Sequence, residues 1–163
     1  MQKKIILLFI VALIGLGVFY FYSKYRMAPT VDITKLNLVN LAGEAFDVNS
    51  LKGKKTIICF SASWCGNCIS EMKALKKIKD TELQDIEIVI IDDEPLEQVI
   101  KFKEYKDYPF TFLKLNQSFP NIGILSIPVS YFYDSSLILK GDEVGELDWL
   151  DPSAREHYKQ LMN

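Results

Sequence analysis

Thr56-Ile57-Ile58-Cys59-Phe60-Ser61-Ala62-Ser63-Trp64-Cys65-Gly66-Asn67-Cys68 runs from an apolar segment into two cysteines three positions apart. Thr56 to Phe60 is a compact apolar run rich in β-branched side chains, which predicts a central strand. From Ser70 to Asp80 the spacing of Met72, Leu75 and Ile78 predicts a helix with a lysine-rich outer face. The cysteine pair therefore falls at a strand-to-helix junction. A cysteine at the start of a helix faces unpaired backbone N–H groups and the positive end of the helix dipole, which lowers its pKa and makes it a nucleophile. Cys65 is that residue. Cys68, one turn deeper, can displace Cys65 from a mixed disulfide and is the expected resolving thiol. Trp64 either shields the pair while offering a flat apolar surface to a partner, or is an ordinary packing tryptophan.

Other uses of the pair fit less well. A structural zinc site needs four ligands, and beyond carboxylates only Cys59 and His157 remain. Neither a metal nor another cofactor is expected. A purely structural disulfide over so short a loop would remove little chain entropy. Ile69 follows Cys68, so the haem-attachment pattern is absent, as are a dinucleotide fingerprint and a phosphate loop. Cys59, between Ile58 and Phe60, reads as a buried thiol, and His157 as a surface residue.

Working outward, Leu36, Leu38 and Leu41, then Phe46 and Val48 across Gly43, suggest a short hairpin, and Asn49 to Gly53 a turn. Ile86 to Ile91 is a second continuous apolar strand of the kind buried on both faces. Leu96 to Tyr105 has helical spacing, and Phe110 to Leu115 another strand pattern. Val129 to Tyr133 and Leu137 to Leu139 flank Asp134-Ser135-Ser136 as a hairpin, with Gly141 to Gly145 as a turn or bulge. Asp151-Pro152 is a helix start with a capping side chain and proline in the first turn, so the last helix should run to about Leu161. A βαβ unit feeding antiparallel strands predicts a mixed sheet with helices on both faces.

The 163 residues fit one domain, and 49% apolar with 25% charged content excludes a disordered chain. Ile5 to Tyr22, however, form eighteen consecutive positions without a charge. As a helix they reach about 27 Å, close to a hydrocarbon core of about 30 Å. Lys3 and Lys4 before the run, and Lys24 and Arg26 after it, can snorkel to the two surfaces. No small-x-small cleavage site or nearby lipid-anchor cysteine follows, so an uncleaved bilayer anchor is favoured over a cleaved signal or a buried helix. This divides the chain into an anchor over 1–26, a connector over 27–35 and a domain over 36–163. The charge bias across the anchor is slim and leaves the C-terminal part translocated, in the periplasm or outside the cell. The net charge of −2 becomes −4 beyond Tyr22, with basic and acidic residues interleaved, so nucleic acid is not an expected partner.

The segment from Leu38 to Leu75, with Leu51-Lys52-Gly53-Lys54, the strand, the Trp64-Cys65-Gly66-Asn67-Cys68 motif and Glu71, resembles the membrane-anchored thioredoxin-like thiol-disulfide oxidoreductases of the TlpA/ResA type. Ile127-Pro128-Val129-Ser130-Tyr131-Phe132-Tyr133-Asp134 resembles that family's cis-proline segment, and the likeness spans about residues 36 to 150. It implies a thioredoxin fold with an N-terminal β-hairpin extension. By the same resemblance, Ile127 and Pro128 dock substrate beside Trp64, Gly66 and Asn67, and Glu71 assists proton transfer at Cys68. A first-turn glutamate is also favourable to the helix dipole in its own right. Two positions depart from the family: Asn67 and Lys73 stand where proline is usual. The first of these bears on redox potential and hence on direction. The implied function is reduction of protein disulfides, with a membrane electron donor restoring the dithiol. An oxidase or isomerase, or a binding module without turnover, are the alternatives. Tyr131, Phe132 and Tyr133 read as core aromatics before they read as a docking groove.

Overall fold

The computed structural model describes residues 2–26 and 28–163, leaving out the side chains at 2, 3, 5, 7, 8 and 23–26. Lys3, Ile5, Lys24, Arg26 and Met27, which carry parts of the anchor and connector readings, lie outside the described side chains. The first helix, α1 (Gln2–Arg26), covers the uncharged run. Its described apolar side chains, Ile6, Phe9, Leu13, Leu16 and Phe19 among them, are all exposed and touch no core. Among the described residues no helix is long and apolar enough to cross a membrane.

Six strands form one mixed sheet: β1 (Leu38–Val39), β2 (Lys55–Phe60), β3 (Ile86–Asp92), β4 (Thr111–Leu115), β5 (Val129–Tyr133) and β6 (Leu139–Val144), in the order β1-β4-β3-β2-β5-β6. The β2–β3 and β3–β4 pairs are parallel, and the remaining pairs antiparallel. Helix α2 (Gly66–Ile78) joins β2 to β3, α3 (Leu96–Lys106) joins β3 to β4, and α4 (Pro152–Leu161) closes the chain.

Alternation along the strands divides the core in two. Ile57, Cys59, Ile88, Ile90, Phe112 and Phe132 pack with Met72 and Leu75 of α2, Val99 and Phe102 of α3, and Tyr158 of α4. Ile58, Phe60, Val89, Ile91, Leu113 and Tyr131 pack against the other layer. The α-helices that face the sheet thus share one side. The far side is covered by 3₁₀ turns at Ile33–Lys35, Val48–Leu51 and Phe119–Ile122. This thioredoxin-like arrangement is the expected fold, with short turns in place of long helices on the second face.

Several local expectations are corrected. The anticipated N-terminal hairpin shrinks to one bridge, Val39 with Ala45, because Asp47 caps a 3₁₀ turn at Val48–Leu51 and ends the second arm; β1 instead pairs with β4. That 3₁₀ turn also replaces most of the expected turn at Asn49 to Gly53. The last hairpin is longer than its sequence pattern. Asp134 Oδ1 accepts from the N–H groups of Ser136 and Ile138, and Leu137 takes a positive φ of 61°, so residues 134–138 are turn and the return strand runs through Gly141. Helix α2 begins at Gly66, four residues before its apolar period becomes readable. The expected connector is packed: Val31 and Ile33 are buried, and Tyr131 donates to the carbonyl of Pro29 at 2.7 Å.

Candidate active site

Cys65 is the N-cap of α2. Its backbone is extended (φ −81°, ψ 108°), and its sulfur accepts the N–H of Cys68 at 3.2 Å. An N-terminal amide that would otherwise be orphaned is thereby aimed at sulfur, the arrangement that favours a thiolate once the pair is reduced. Cys65 and Cys68 are joined by a disulfide, with Cα atoms 5.2 Å apart. Gly66 and Asn67 between them are exposed. Trp64 is 72% exposed and packs in no core, which removes the packing alternative and leaves its ring as surface beside the disulfide.

Sheet register brings the second motif to the cysteines. Val129 of β5 pairs with Phe60 of β2, so Pro128 falls beside the start of the cysteine loop. The Ile127–Pro128 peptide is cis, as the resemblance implied, and the Ile127 carbonyl oxygen lies 3.8 Å from Cys65 Sγ. Trp64, Phe119, Pro120, Leu125 and Ile127 line an open, largely apolar groove of about 410 Å³ with Asp93 at its side. Tyr131, Phe132 and Tyr133 are buried core residues and take no part in it.

Glu71, one turn beyond Cys68 on α2, is only 2% exposed. Its Oε1 accepts from Trp149 Nε1 at 3.0 Å and lies 3.4 Å from Ser130 Oγ, which is 3.2 Å from Cys59 Sγ. Its Oε2 has no partner, and neither has the buried Ser61 hydroxyl. Both residues line a cavity of about 10 Å³ together with Cys59, Cys68 and Pro128. Burial pushes the Glu71 carboxyl up to about 7, although the donors from Trp149, Leu147 and Ser130 oppose the shift. A carboxyl that titrates near neutrality can both take and return a proton there. A helix-dipole role alone would be served by an exposed glutamate. Burial pushes the Cys59 thiol up as well, out of the range of a ready nucleophile.

The loop before Trp64 is clamped from the segment that follows β3. Ser63 N–H donates to Glu94 Oε2 at 2.6 Å, and Ser63 Oγ donates to Glu94 Oε1 at 3.0 Å. Glu94 N–H in turn donates to Asp92 Oδ1 at 2.7 Å, and burial raises the Asp92 carboxyl. His157 is exposed against Tyr158, away from the cysteines. Among the described residues no cluster of three or more histidine, cysteine or carboxylate side chains is placed to hold a metal.

Every residue named from the sequence for the site, Trp64, Cys65, Gly66, Asn67, Cys68, Glu71, Ile127 and Pro128, lies in this one region. Sequence reading missed Ser61, Glu94, Ser130 and Trp149. Ser130 stands in an aromatic strand and Trp149 in a loop with no motif. The available signal for Trp149 was its type, since a buried indole N–H needs an acceptor.

Residues 26–118 match the model of the AhpC/TSA family. The chain is 25% identical over 150 residues to the thioredoxin-like protein YneN of Bacillus subtilis, covering 88% of each chain. It is 23% identical over 138 residues to the thiol-disulfide oxidoreductase ResA of Bacillus thuringiensis, covering 81% of this chain and 80% of ResA. Among solved structures, a thioredoxin-family thiol:disulfide interchange protein from Chlorobium tepidum superposes with a TM-score of 0.62 at 25% identity, covering 84% of this chain and 99% of that one.

Proposed function

Because this chain belongs to the AhpC/TSA family and carries a disulfide at the N-cap of a helix beside a cis-proline, we propose that it is a thiol-disulfide oxidoreductase working through Cys65 and Cys68. The relatives named thiol-disulfide oxidoreductase ResA support the same activity. The single observation that carries the reading is the Cys65 sulfur accepting the Cys68 amide.

In the direction we favour, the Cys65 thiolate of the reduced protein attacks one sulfur of a substrate protein disulfide. That S–S bond breaks, and the departing substrate sulfur leaves as a thiolate and gains a proton. Glu71 takes the proton of Cys68, whose sulfur then attacks Cys65 in the mixed disulfide. The second substrate thiol is released and the Cys65–Cys68 disulfide forms, so two electrons have passed to the substrate. Trp64, Gly66, Asn67, Ile127 and Pro128 are the docking surface for the substrate chain in this reading. The anchor reading rests on the sequence, whose uncharged run Ile5 to Tyr22 extends over side chains outside those described, and we place the redox domain in the periplasm or outside the cell. A membrane electron donor then restores the dithiol.

Three measurements test this. The Cys65/Cys68 couple, equilibrated against glutathione, should lie nearer the value of about −270 mV typical of thioredoxin than the value of about −120 mV of a strong oxidant. A potential near the latter would reverse the direction. Cys68→Ser should trap substrate proteins on Cys65 as mixed disulfides. Fractionation and protease accessibility of the full chain test the anchor, which a protein found soluble in the cytosol would exclude.

A further inference from the structure

Trp149 lies in the loop between β6 and α4, remote in sequence from the cysteine motif, yet it is fully buried in the same core as Cys68. Its ring packs on Phe132 and Tyr158, with centroids 6.2 and 5.3 Å away. Arg155 donates to its carbonyl at 3.2 Å and reaches Glu82 at 3.7 Å, which ties the loop to α4 and to the turn after α2. The indole therefore has one place to point, and its N–H meets Glu71 Oε1 at 3.0 Å. Among the described residues the only other side-chain donor to this carboxyl is Ser130, at a longer 3.4 Å.

We propose that Trp149 is a positioning residue for proton transfer at Cys68: by holding Oε1 it fixes the Glu71 carboxyl with Oε2 as the unpaired oxygen at the cavity that Cys68 lines. The inference rests on the proposed role of Glu71. A hydrogen bond between a fixed indole and a carboxylate, out of contact with water, is strong and directional. It favours the ionised form, the state that accepts the Cys68 proton. The other titratable groups facing Glu71 are Cys59 on β2, Cys68 on α2, Glu146 in the loop before Trp149 and Tyr158 on α4. None of them is a cation that could substitute for the indole.

The test uses the full chain. The rate at which reduced protein reduces oxidised glutathione is followed across neutral pH for the parent, E71Q, W149F and the double variant. W149F keeps the aromatic bulk and removes the donor, so the midpoint assigned to Glu71 should move up by about one unit. In the E71Q background W149F should move nothing further. A parent midpoint kept in W149F but lost in E71Q overturns this inference alone. A profile that E71Q leaves unchanged overturns the role of Glu71 as well.

A second readout does not depend on W149F folding. The chain has two tryptophans, and W64F identifies the indole ¹H–¹⁵N signal of Trp149. In the oxidised protein that signal should titrate with a midpoint near 7 and lose the step in E71Q. A signal that stays flat in the parent refutes the coupling.

Discussion

Cys65 Sγ lies 3.8 Å from the carbonyl oxygen of Ile127, a residue 62 positions further along the chain. The antiparallel pairing of β5 with β2 creates this proximity, since Phe60 and Val129 are partners and each strand leads directly into one half of the site. A substrate chain lying along Ile127 would thus present its disulfide to Cys65, the more exposed of the two cysteines. Cys65 is 7% exposed and Cys68 1%, a difference in access that supports the proposed attacking role of Cys65 and resolving role of Cys68.

Alkylation of the reduced protein near neutral pH should label Cys65 much faster than Cys68 or Cys59. Equal rates would contradict the assignment. Cys65→Ser should abolish disulfide exchange, whereas Cys59→Ala should leave it largely intact and cost about 1 kcal/mol in packing. Peptide mapping of the labelled sites and urea denaturation check these outcomes.

Trp64→Ala should leave stability within about 0.5 kcal/mol of the parent, because the ring packs in no core. Loss of its contact with a docked chain should slow reduction of polypeptide disulfides roughly fivefold, the equivalent of about 1 kcal/mol. Oxidised glutathione, too small to span the groove, should be reduced at nearly the parental rate. An equal loss with both substrates would remove Trp64 from the docking surface.

Glu94→Ala deprives the Ser63 amide and hydroxyl of their acceptor. Stability should fall by about 1 to 2 kcal/mol, and exchange should slow as the Trp64-Cys65 loop loses its tether. Amide hydrogen exchange at Ser63 should accelerate in the variant. Unaltered protection there would show that the clamp is not needed.

The Glu71 carboxyl titrates at about 7 when folded and about 4.5 when unfolded. Between those values the folded chain holds the extra proton, so stability falls as pH rises through this window and levels above it. The contribution of Glu71 is up to about 3 kcal/mol. Asp92, also raised by burial, has the same sign. Asp47, Asp134 and Asp151, whose carboxylates accept backbone N–H groups, are lowered and act in the opposite sense, only at more acidic pH. Urea denaturation at several pH values should show the decline in the parent and a shallower one in E71Q. Identical slopes would mean that Glu71 is not buried in its charged form.

The local parts of the fold are legible in the chain alone. The apolar β-branched run of β2, the Asp151-Pro152 start of α4 and the spacing of Cys65 and Cys68 depend on neighbours a few residues away, where backbone geometry and period speak directly. The same holds for Val129–Tyr133, whose bounds coincide with β5. The rest depends on packing between distant segments. The second arm of the N-terminal hairpin and the length of β6 turned on side-chain caps at Asp47 and Asp134, which compete with strand pairing and leave little periodic trace. The role of Glu71 rests on resemblance alone in the sequence, and its burial arises only where α2 packs on β2 and β5 and removes it from water. Trp149 and Glu94 carry no motif, and Ser130 has no signal of its own within the cis-proline segment: each meets the site through one hydrogen bond or two across the fold, and such a contact exists only when elements distant in the chain have been brought into register.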